Sequence, residues 1–303
     1  MQSTRLRFPV LADEVAAHLG LALAVLFWAA AFVAGKVALA EMTPLAVSAW
    51  RYAIAATLLL PFGLRAWPGI AVLRPVLAPL ALLVLCGGIA YPWLFLTALQ
   101  NTTATNTSLL IALNPIGTIL LAPLVGEVLT RARLAGASLA LLGAAIVITG
   151  GELGRLVEVS SHSGDLLALG AAGVWACFNL TSRRVVARMT SASINFAVYG
   201  IGCIALFALA ADEQPIAQLR EASVSVYAAL FVLAALASVL AGQLFLGGVR
   251  LLGVSRTVIY INLVPPTTAL LSWLFIGEAL GAATAVGGVA VLGGVYLANR
   301  PVA

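Results

Sequence analysis

Charged residues are scarce in this chain. Asp, Glu, Lys and Arg make up 9% of its 303 residues, whereas a soluble domain carries about 25%. Hydrophobic residues make up 62%, and the mean hydropathy is +1.09. Because so few polar side chains cannot cover a water-soluble globule, the composition predicts an all-α polytopic membrane protein.

The residues on which metal sites and catalysis depend are also few. The three cysteines, Cys86, Cys177 and Cys203, lie in apolar runs without metal-ligand spacing, which predicts buried free thiols. The two histidines, His18 at the edge of the first predicted span and His162 in a loop, are expected at the solvated surface. No cluster of acids, histidines or nucleophiles and no phosphate-binding glycine loop is present, so we predict no catalytic residue, no metal and no cofactor.

Carboxylates are missing from the predicted membrane interior. All eleven fall at span ends or in loops. Proton-driven carriers usually place an ionisable residue within the membrane to relay the proton. A carrier with this sequence would therefore be expected to work down the gradient of its solute, or by exchange.

Long apolar runs dominate what remains. About 20 apolar residues cross a bilayer as a helix, and by that rule we predict ten spans. Their approximate limits are 18–40, 45–64, 75–99, 104–126, 133–151, 164–186, 191–211, 223–249, 254–277 and 280–299.

The basic residues predict the orientation of these spans. Loops on the side of the N-terminus hold Arg5, Arg7, Arg65, Arg74, Arg131, Arg133, Arg183, Arg184, Arg188, Arg250, Arg256 and Arg300. Loops on the other side hold only Arg155 and Arg220. Since cytoplasmic loops are enriched in Lys and Arg, both termini are predicted to be cytoplasmic. No cleavage-site pattern follows the N-terminal lead, so a removed signal peptide is not expected.

The two halves of the chain repeat each other. "FWAAAFVAGKVALAEMT" (27–43) aligns with "VWACFNLTSRRVVARMT" (174–190), and "LFLTALQNTTATNTSLLIALNP" (94–115) aligns with "LFLGGVRLLGVSRTVIYINLVP" (244–265). Each copy holds five spans, and because five is odd the second copy enters from the opposite side. The pattern predicts two inverted five-helix repeats, an arrangement typical of secondary transporters. The expected units are a lead (1–17), the first repeat (18–151), a loop (152–163), the second repeat (164–299) and a tail (300–303).

These stretches, with "TPLAVSAWRYAIAATLLL" and "NPIGTILLAPLVGE", resemble the EamA-type branch of the drug/metabolite transporter superfamily over about residues 18–299. The resemblance implies ten helices in two inverted repeats and export of amino acids and other small metabolites across the bacterial inner membrane. Within that branch the chain is most similar to the aromatic amino-acid exporter group called YddG. The proline-to-Gly-Glu spacing in the first copy is shorter than is usual in the family.

Each copy carries a proline deep in an apolar run, at Pro115 and Pro265. A proline removes a backbone hydrogen bond and kinks a helix. The matched pair predicts spans four and nine bent around a central cavity, although a simple packing kink would look the same. Gly126-Glu127 and Gly277-Glu278 are expected to mark helix ends, with glutamate at the membrane interface.

Polar and aromatic side chains within the spans are candidates for a substrate site. Amide and hydroxyl groups suit zwitterionic solutes, and aromatic rings suit bulky apolar ones, but interhelical hydrogen bonding and plain packing are open alternatives. The predicted substrate-binding residues are Trp28, Tyr91, Asn114, Pro115, Trp175, Asn179, Tyr260, Asn262 and Pro265.

Two basic residues and four glycines complete the candidates. Lys36 and Arg51 are expected near the outer face, where they either attract a substrate carboxylate or extend to lipid headgroups. The pairs Gly136/Gly143 and Gly287/Gly294 are expected to form smooth helix faces for close packing.

Together these features predict a multi-pass carrier in the bacterial inner membrane. Its partners would be a small-molecule substrate and the lipid bilayer, with no nucleic acid and no obligate protein. Amino acids, above all large apolar or aromatic ones, are the leading substrate class. A multidrug or other metabolite carrier of the same fold and, further off, a channel are the alternatives.

Overall fold

The computed structural model describes residues 7–114, 116–117, 131–149, 151–152, 163–253, 257 and 259–298. Over these residues the chain is helical and contains no strand. The predictions for Pro115, Gly126, Glu127 and His162 lie outside the described residues.

Fourteen α-helices follow one another along the described part of the chain. They are α1 Arg7–Leu39, α2 Pro44–Arg65, α3 Ile70–Leu73, α4 Leu77–Leu83, α5 Tyr91–Asn101, α6 Ala104–Ile111, α7 Arg131–Thr149, α8 Ser163–Val186, α9 Ser191–Leu209, α10 Pro215–Glu221, α11 Val224–Phe231, α12 Ala241–Leu252, α13 Val264–Ile276 and α14 Ala282–Ala298. Two π-helices, π1 (Val84–Ala90) and π2 (Val232–Leu240), join α4 to α5 and α11 to α12. Short 3₁₀ segments cover Arg74–Val76, Ala211–Glu213 and Ile259–Leu263.

Six helical stretches among the described residues are long and apolar enough to cross a membrane. They are Glu14–Leu39, Pro44–Arg65, Ile70–Asn101, Ser163–Val186, Ser191–Leu209 and Val224–Leu252. Three shorter apolar helices cover Leu134–Val147, Tyr260–Ile276 and Ala282–Leu297. The chain is therefore an all-helical, multi-pass membrane protein; the count of ten spans stays a prediction.

The repeated Met-Thr pair begins a helix in each half. The hydroxyls of Thr43 and Thr190 accept backbone N–H groups at the first turns of α2 and α9, as N-cap residues do. Met42 and Met189 are both buried. The Met-Thr match thus reflects a shared helix start.

The expectation that Pro265 lies in the middle of a bent helix is wrong in its geometry. A 3₁₀ segment, Ile259–Leu263, precedes it, and Pro265 lies in the first turn of α13. A proline fits there because the first turn has no intrahelical partner for its missing N–H. In the first half, α6 ends at Ile111 and a turn follows at 112–113, two residues before Pro115. Both runs are thus interrupted at matching points of the repeat.

Gly277 ends α13 with φ +66, so the prediction of a helix-terminating glycine is confirmed there. The neighbouring Glu278 does more than reach an interface. Its carboxylate accepts the backbone N–H groups of Ala104 and Thr105, at 3.1 and 2.9 Å. A carboxylate in that position satisfies free donors at the start of α6 and favours its dipole.

The two halves pack against each other helix by helix. The contacting pairs are α2 with α9, α7 with α14, α6 with α13, α1 with α12, and α5 with α8. The glycine pairs expected to permit close packing do so between α7 and α14. A methyl group built on Gly287 would lie 2.7 Å from the Gly143 oxygen, and one on Gly294 would lie 2.6 Å from the Gly136 oxygen.

The turn after α1 is hydrogen-bonded to the connection between α9 and α11. The Glu41 carboxylate accepts the Ser223 N–H at 2.7 Å and its hydroxyl at 2.5 Å. The Thr43 hydroxyl donates to the Glu213 carboxylate at 2.5 Å. The hydrogen bonds from Ser223 lower the pKa of the Glu41 carboxyl. These contacts join the first half of the chain to the second at one end of the bundle.

Candidate functional site

A cavity opens between the two halves of the helix bundle. Its described lining comes from α1, α2, π1, α5 and α6 in the first half and from α8, α9, π2, α12, the Ile259–Leu263 segment and α13 in the second. With its mouth included, the cavity encloses about 860 Å³. A mostly apolar wall that is rich in aromatic rings and holds a few polar groups is typical of small-molecule sites.

Seven aromatic rings form a continuous cluster at this cavity. Trp175 lies at its centre, with ring centroids 6.3 Å from Trp28, 4.6 Å from Tyr91 and 4.8 Å from Phe178. Phe245 lies 5.3 Å from Trp28, and the cluster continues from Tyr91 through Phe95 to Phe32. Such tilted and edge-to-face contacts between rings are favourable. They make one side of the cavity apolar.

Three aromatic side chains donate hydrogen bonds to backbone carbonyl groups of the two π-helices. The Tyr52 hydroxyl donates to the Gly87 carbonyl of π1 at 2.7 Å. The Tyr199 hydroxyl donates to the Ser238 carbonyl of π2 at 2.9 Å, and the Trp28 indole N–H donates to the Ala237 carbonyl at 3.1 Å. Short π-helices inside α-helices often occur at functional sites. Here aromatic side chains satisfy three of their carbonyls at the cavity wall.

Arg51 is the charged residue among those described as lining the cavity. It is 6% exposed, so its side chain lies buried among the helices. Its Nε donates to the Ser238 hydroxyl oxygen at 2.7 Å, and its Cζ lies 5.5 Å from the centre of the Tyr52 ring. Its Nη1 has no hydrogen-bond partner among the described residues.

Amide side chains extend the polar part of the site. Asn114 lines the cavity, and its Oδ1 accepts the Asn179 Nδ2 at 3.1 Å, which joins α8 to the chain just after α6. Asn195 also lines the cavity, and its Nδ2 is buried with no partner among the described residues.

The predicted substrate-binding residues divide into three groups. Trp28, Tyr91, Asn114 and Trp175 line the cavity together. Asn179 is not a lining residue but is hydrogen-bonded to Asn114, which is one. Pro115 is outside the described residues. Tyr260, Asn262 and Pro265 are not among the lining residues, although their neighbours Ile261 and Val264 are. Their binding roles stay predictions.

Tyr260 instead contacts His18, whose predicted position is wrong. His18 lies within α1, is half-buried, and its Nδ1 is 2.7 Å from the Tyr260 hydroxyl. The expectation of a solvated surface position is therefore wrong. The cause is the start of α1, which begins at Arg7, so that His18 lies three turns inside the helix.

Sequence reasoning missed several lining residues, among them Tyr52, Tyr199, Phe245 and Asn195. The repeat held the signal for two of them. Tyr52 and Tyr199 are separated by the same number of positions as Trp28 and Trp175. Extending the alignment of 27–43 with 174–190 by nine residues into the next span would have found the tyrosine pair.

A cavity inside a multi-pass helical bundle, walled by both halves of a repeated chain, defines the class of membrane transporters. The EamA-like transporter family model matches the chain twice, over residues 15–149 and 162–300. The chain belongs to the EamA-like transporter family.

Two curated relatives are similar over nearly the whole chain. The uncharacterized transporter YyaM of Bacillus subtilis (strain 168) is 27% identical over 277 residues, covering 90% of this chain and 90% of its own. A probable terminal-alkyne amino-acid exporter of Streptantibioticus cattleyicolor is 29% identical over 284 residues, covering 92% of each. A solved crystal structure with 22% identity matches 94% of this chain and 97% of its own, with a TM-score of 0.63. At that identity the likeness concerns the fold alone.

Proposed function

We propose that this chain is a secondary transporter that exports amino acids, above all large apolar or aromatic ones, and related small metabolites. It works by alternating access, with the substrate held in the cavity between the two halves. Export and the narrower likeness to the YddG group rest on resemblance, and the name of the Streptantibioticus relative supports the substrate class.

The aromatic cluster carries this proposal. Trp28, Tyr91 and Trp175 present ring faces and edges to one cavity, where an apolar or aromatic side chain would lose its contact with water. Asn114, with Asn179 behind it, offers amide groups to the polar end of the substrate.

The proposed architecture is ten helices in two inverted five-helix repeats. The double family match supports the repeat. The packing supports the inversion, because α2 contacts its counterpart α9 and α7 contacts its counterpart α14, as a two-fold axis between the copies would require. The remaining contacts, α1 with α12 and α5 with α8, are exchanged by the same axis.

The proposed location is the bacterial inner membrane with both termini in the cytoplasm. The distribution of Lys and Arg supports this orientation. Under it, the Glu41–Ser223 and Glu278–Ala104 hydrogen bonds lie at the outer end of the bundle.

Transport is proposed to follow the solute's own gradient or to proceed by exchange. None of the described residues that line the cavity is an aspartate, glutamate or histidine. Substrate flux in liposomes that required an imposed pH gradient would contradict this part of the proposal.

Counterflow in proteoliposomes tests the proposal. Vesicles loaded with unlabelled phenylalanine should take up labelled phenylalanine saturably, while a cationic dye should not enter. Tyr91→Ala should raise the half-saturation concentration about tenfold, since it removes a ring that packs on Trp175. Trp93→Ala is the matched control, because Trp93 lies two residues away and is 44% exposed.

Three results would contradict the proposal. Uptake of the dye but not of phenylalanine would be consistent with a transporter but would contradict amino acids as its substrates. Flux that does not saturate would favour a channel. Equal effects of Tyr91→Ala and Trp93→Ala would show that the aromatic cluster serves the fold and not the substrate.

A further inference from the structure

Arg51 is a buried cation with no acidic counterpart among the described residues. None of their carboxylates lies within 4.0 Å of it, and none of their acceptors is hydrogen-bonded to its Nη1. Arginines that are buried in proteins are nearly always paired with an acceptor or an anion. An unpaired guanidinium N–H group at a cavity wall therefore indicates that an anionic ligand group completes it.

The surroundings hold the guanidinium in one position. The Ser238 hydroxyl donates its proton to the Leu233 carbonyl at 2.8 Å, which leaves its oxygen to accept the Arg51 Nε at 2.7 Å. The ring centres of Tyr52 and Phe95 lie 5.5 and 6.0 Å from Cζ, within cation–π distance. Ser238 thus holds the Nε edge of the guanidinium group and the two rings pack near it, while Nη1 stays available to donate to a ligand.

The charge lies on one side of a cavity that is lined by both copies of the repeat. Tyr52 and Tyr199 occupy matching positions of the two copies, and the residue that matches Arg51 is Val198. A second donor, the Asn195 Nδ2, also has no partner in the described part of the chain. It lies beside Tyr199, since both side chains approach within 3.0 Å of a methyl group built on Gly242. The polar wall therefore offers donors to a ligand.

We propose that Arg51 binds the carboxylate of the substrate, and that this group, not the α-ammonium group, is what the cavity requires. The substrate class is then arylalkyl carboxylates, with or without an amino group. This inference rests on the proposed function and narrows it. The aromatic cluster would bind the apolar part of the same molecule, and a guanidinium forms the stronger, charge-assisted kind of hydrogen bond with a carboxylate.

The test compares four small molecules that share one ring and differ in charge. They are phenylalanine, 3-phenylpropionate, phenylalanine amide and phenethylamine. Each is added to detergent-purified protein to measure the rise in melting temperature, and each is used to inhibit counterflow of labelled phenylalanine. Phenylalanine and 3-phenylpropionate should bind and inhibit, whereas the amide and the amine should do neither.

Variants of α2 test the residue itself. Arg51→Gln should weaken phenylalanine binding roughly 10- to 100-fold, the loss expected for a hydrogen bond to a charged group. Arg51→Lys should lie between this variant and the wild type, since it keeps the charge but loses the planar fork. Arg65→Gln, at the exposed end of the same helix, should leave binding unchanged.

The outcomes separate this inference from the function beneath it. Full phenylalanine affinity in Arg51→Gln, or inhibition by phenethylamine equal to that by 3-phenylpropionate, would overturn the carboxylate site and keep the transporter of amino acids. Binding of 3-phenylpropionate without any transport of phenylalanine would keep the carboxylate site and overturn the proposed function. If Arg51→Gln fails to fold, binding of the four ligands to the wild type and to Arg51→Lys still tests the carboxylate site. Wild-type protein that binds none of them would refute both.

Discussion

Replacing Tyr52 with phenylalanine removes one hydroxyl and leaves the ring in place. That hydroxyl donates to the Gly87 carbonyl of π1 at 2.7 Å, and both residues are buried. Removing a donor from a buried carbonyl costs about 1–3 kcal/mol, because the acceptor stays desolvated. Hydrogen bonds between membrane helices average only about 0.6 kcal/mol, with a maximum near 1.7. The two ranges overlap between about 1 and 1.7 kcal/mol, which is the destabilisation we expect.

The chain offers two comparisons for this variant. Tyr199→Phe removes the matching bond to the Ser238 carbonyl of π2 and should cost about the same. Tyr227→Phe removes a hydroxyl that also donates to a backbone carbonyl, that of Leu219 at 2.7 Å, but Tyr227 is 47% exposed. Water replaces the lost donor there, so its cost should stay within about 0.5 kcal/mol.

Unfolding in mixed micelles, followed by circular dichroism, measures all three variants under one condition. The same proteins in liposomes show whether counterflow slows along with the loss of stability. A cost for Tyr227→Phe as large as that for Tyr52→Phe would refute the reasoning, because burial would then not set the magnitude. So would a Tyr52→Phe protein as stable as the wild type.

Three further predictions concern the packing and the ends of the helices. Gly287→Ala should lower stability by about 1–3 kcal/mol in thermal melts, because its methyl group would overlap α7, whereas Gly293→Ala meets nothing within 4 Å and should be neutral or slightly stabilising. Glu41 has a lowered pKa, so its contribution to stability is present above the ordinary value of 4.5 and is lost as pH falls through the lowered pKa. A pH series of melting temperatures should show that loss, and Ser223→Ala should reduce it; identical profiles would contradict the assignment. Glu278→Gln should cost about 0.5–2 kcal/mol by weakening the hydrogen bonds at the start of α6, measured in the same melts, and an unchanged melting temperature would contradict that role.

The sequence was sufficient for features that depend on composition and repetition. Hydropathy placed the apolar helices near their observed limits, and the repeat paired Trp28 with Trp175, whose rings meet at 86° in the cavity wall. These features were predictable because the length of an apolar run and the repetition of residue types can be read from the chain without knowing which helices pack together.

Features that depend on which way a helix faces were not predictable. Counting from the start of α2 gives the level of Arg51 along the helix but not the direction of its side chain, because the rotation of a helix is set by the helices packed against it. Here α9 and π2 turn Arg51 inward, onto Ser238. Hydropathy also measures the length of an apolar run and not its continuity. It therefore could not show that a 3₁₀ segment stops before Pro265 or that π2 interrupts the run from Val224 to Leu252.

The cavity combines a symmetric frame with an asymmetric charge. Matched tyrosines hold matched π-helices, and such pairs suit the proposed mechanism, in which the two copies exchange conformations. The residue that matches Arg51 in the second copy is Val198, so the charge cannot be exchanged in the same way. A substrate whose carboxylate binds Arg51 would stay attached to the α2 and π2 wall in both states, while its apolar part is released from one set of rings and bound by another. Under this mechanism, Arg51→Gln combined with Val198→Arg would place the cation in the matching position. If the orientation of the substrate in the cavity is unimportant, this double variant should bind phenylalanine as the wild type does. If it binds phenylalanine but no longer supports counterflow, the asymmetric position of the charge is itself required for transport.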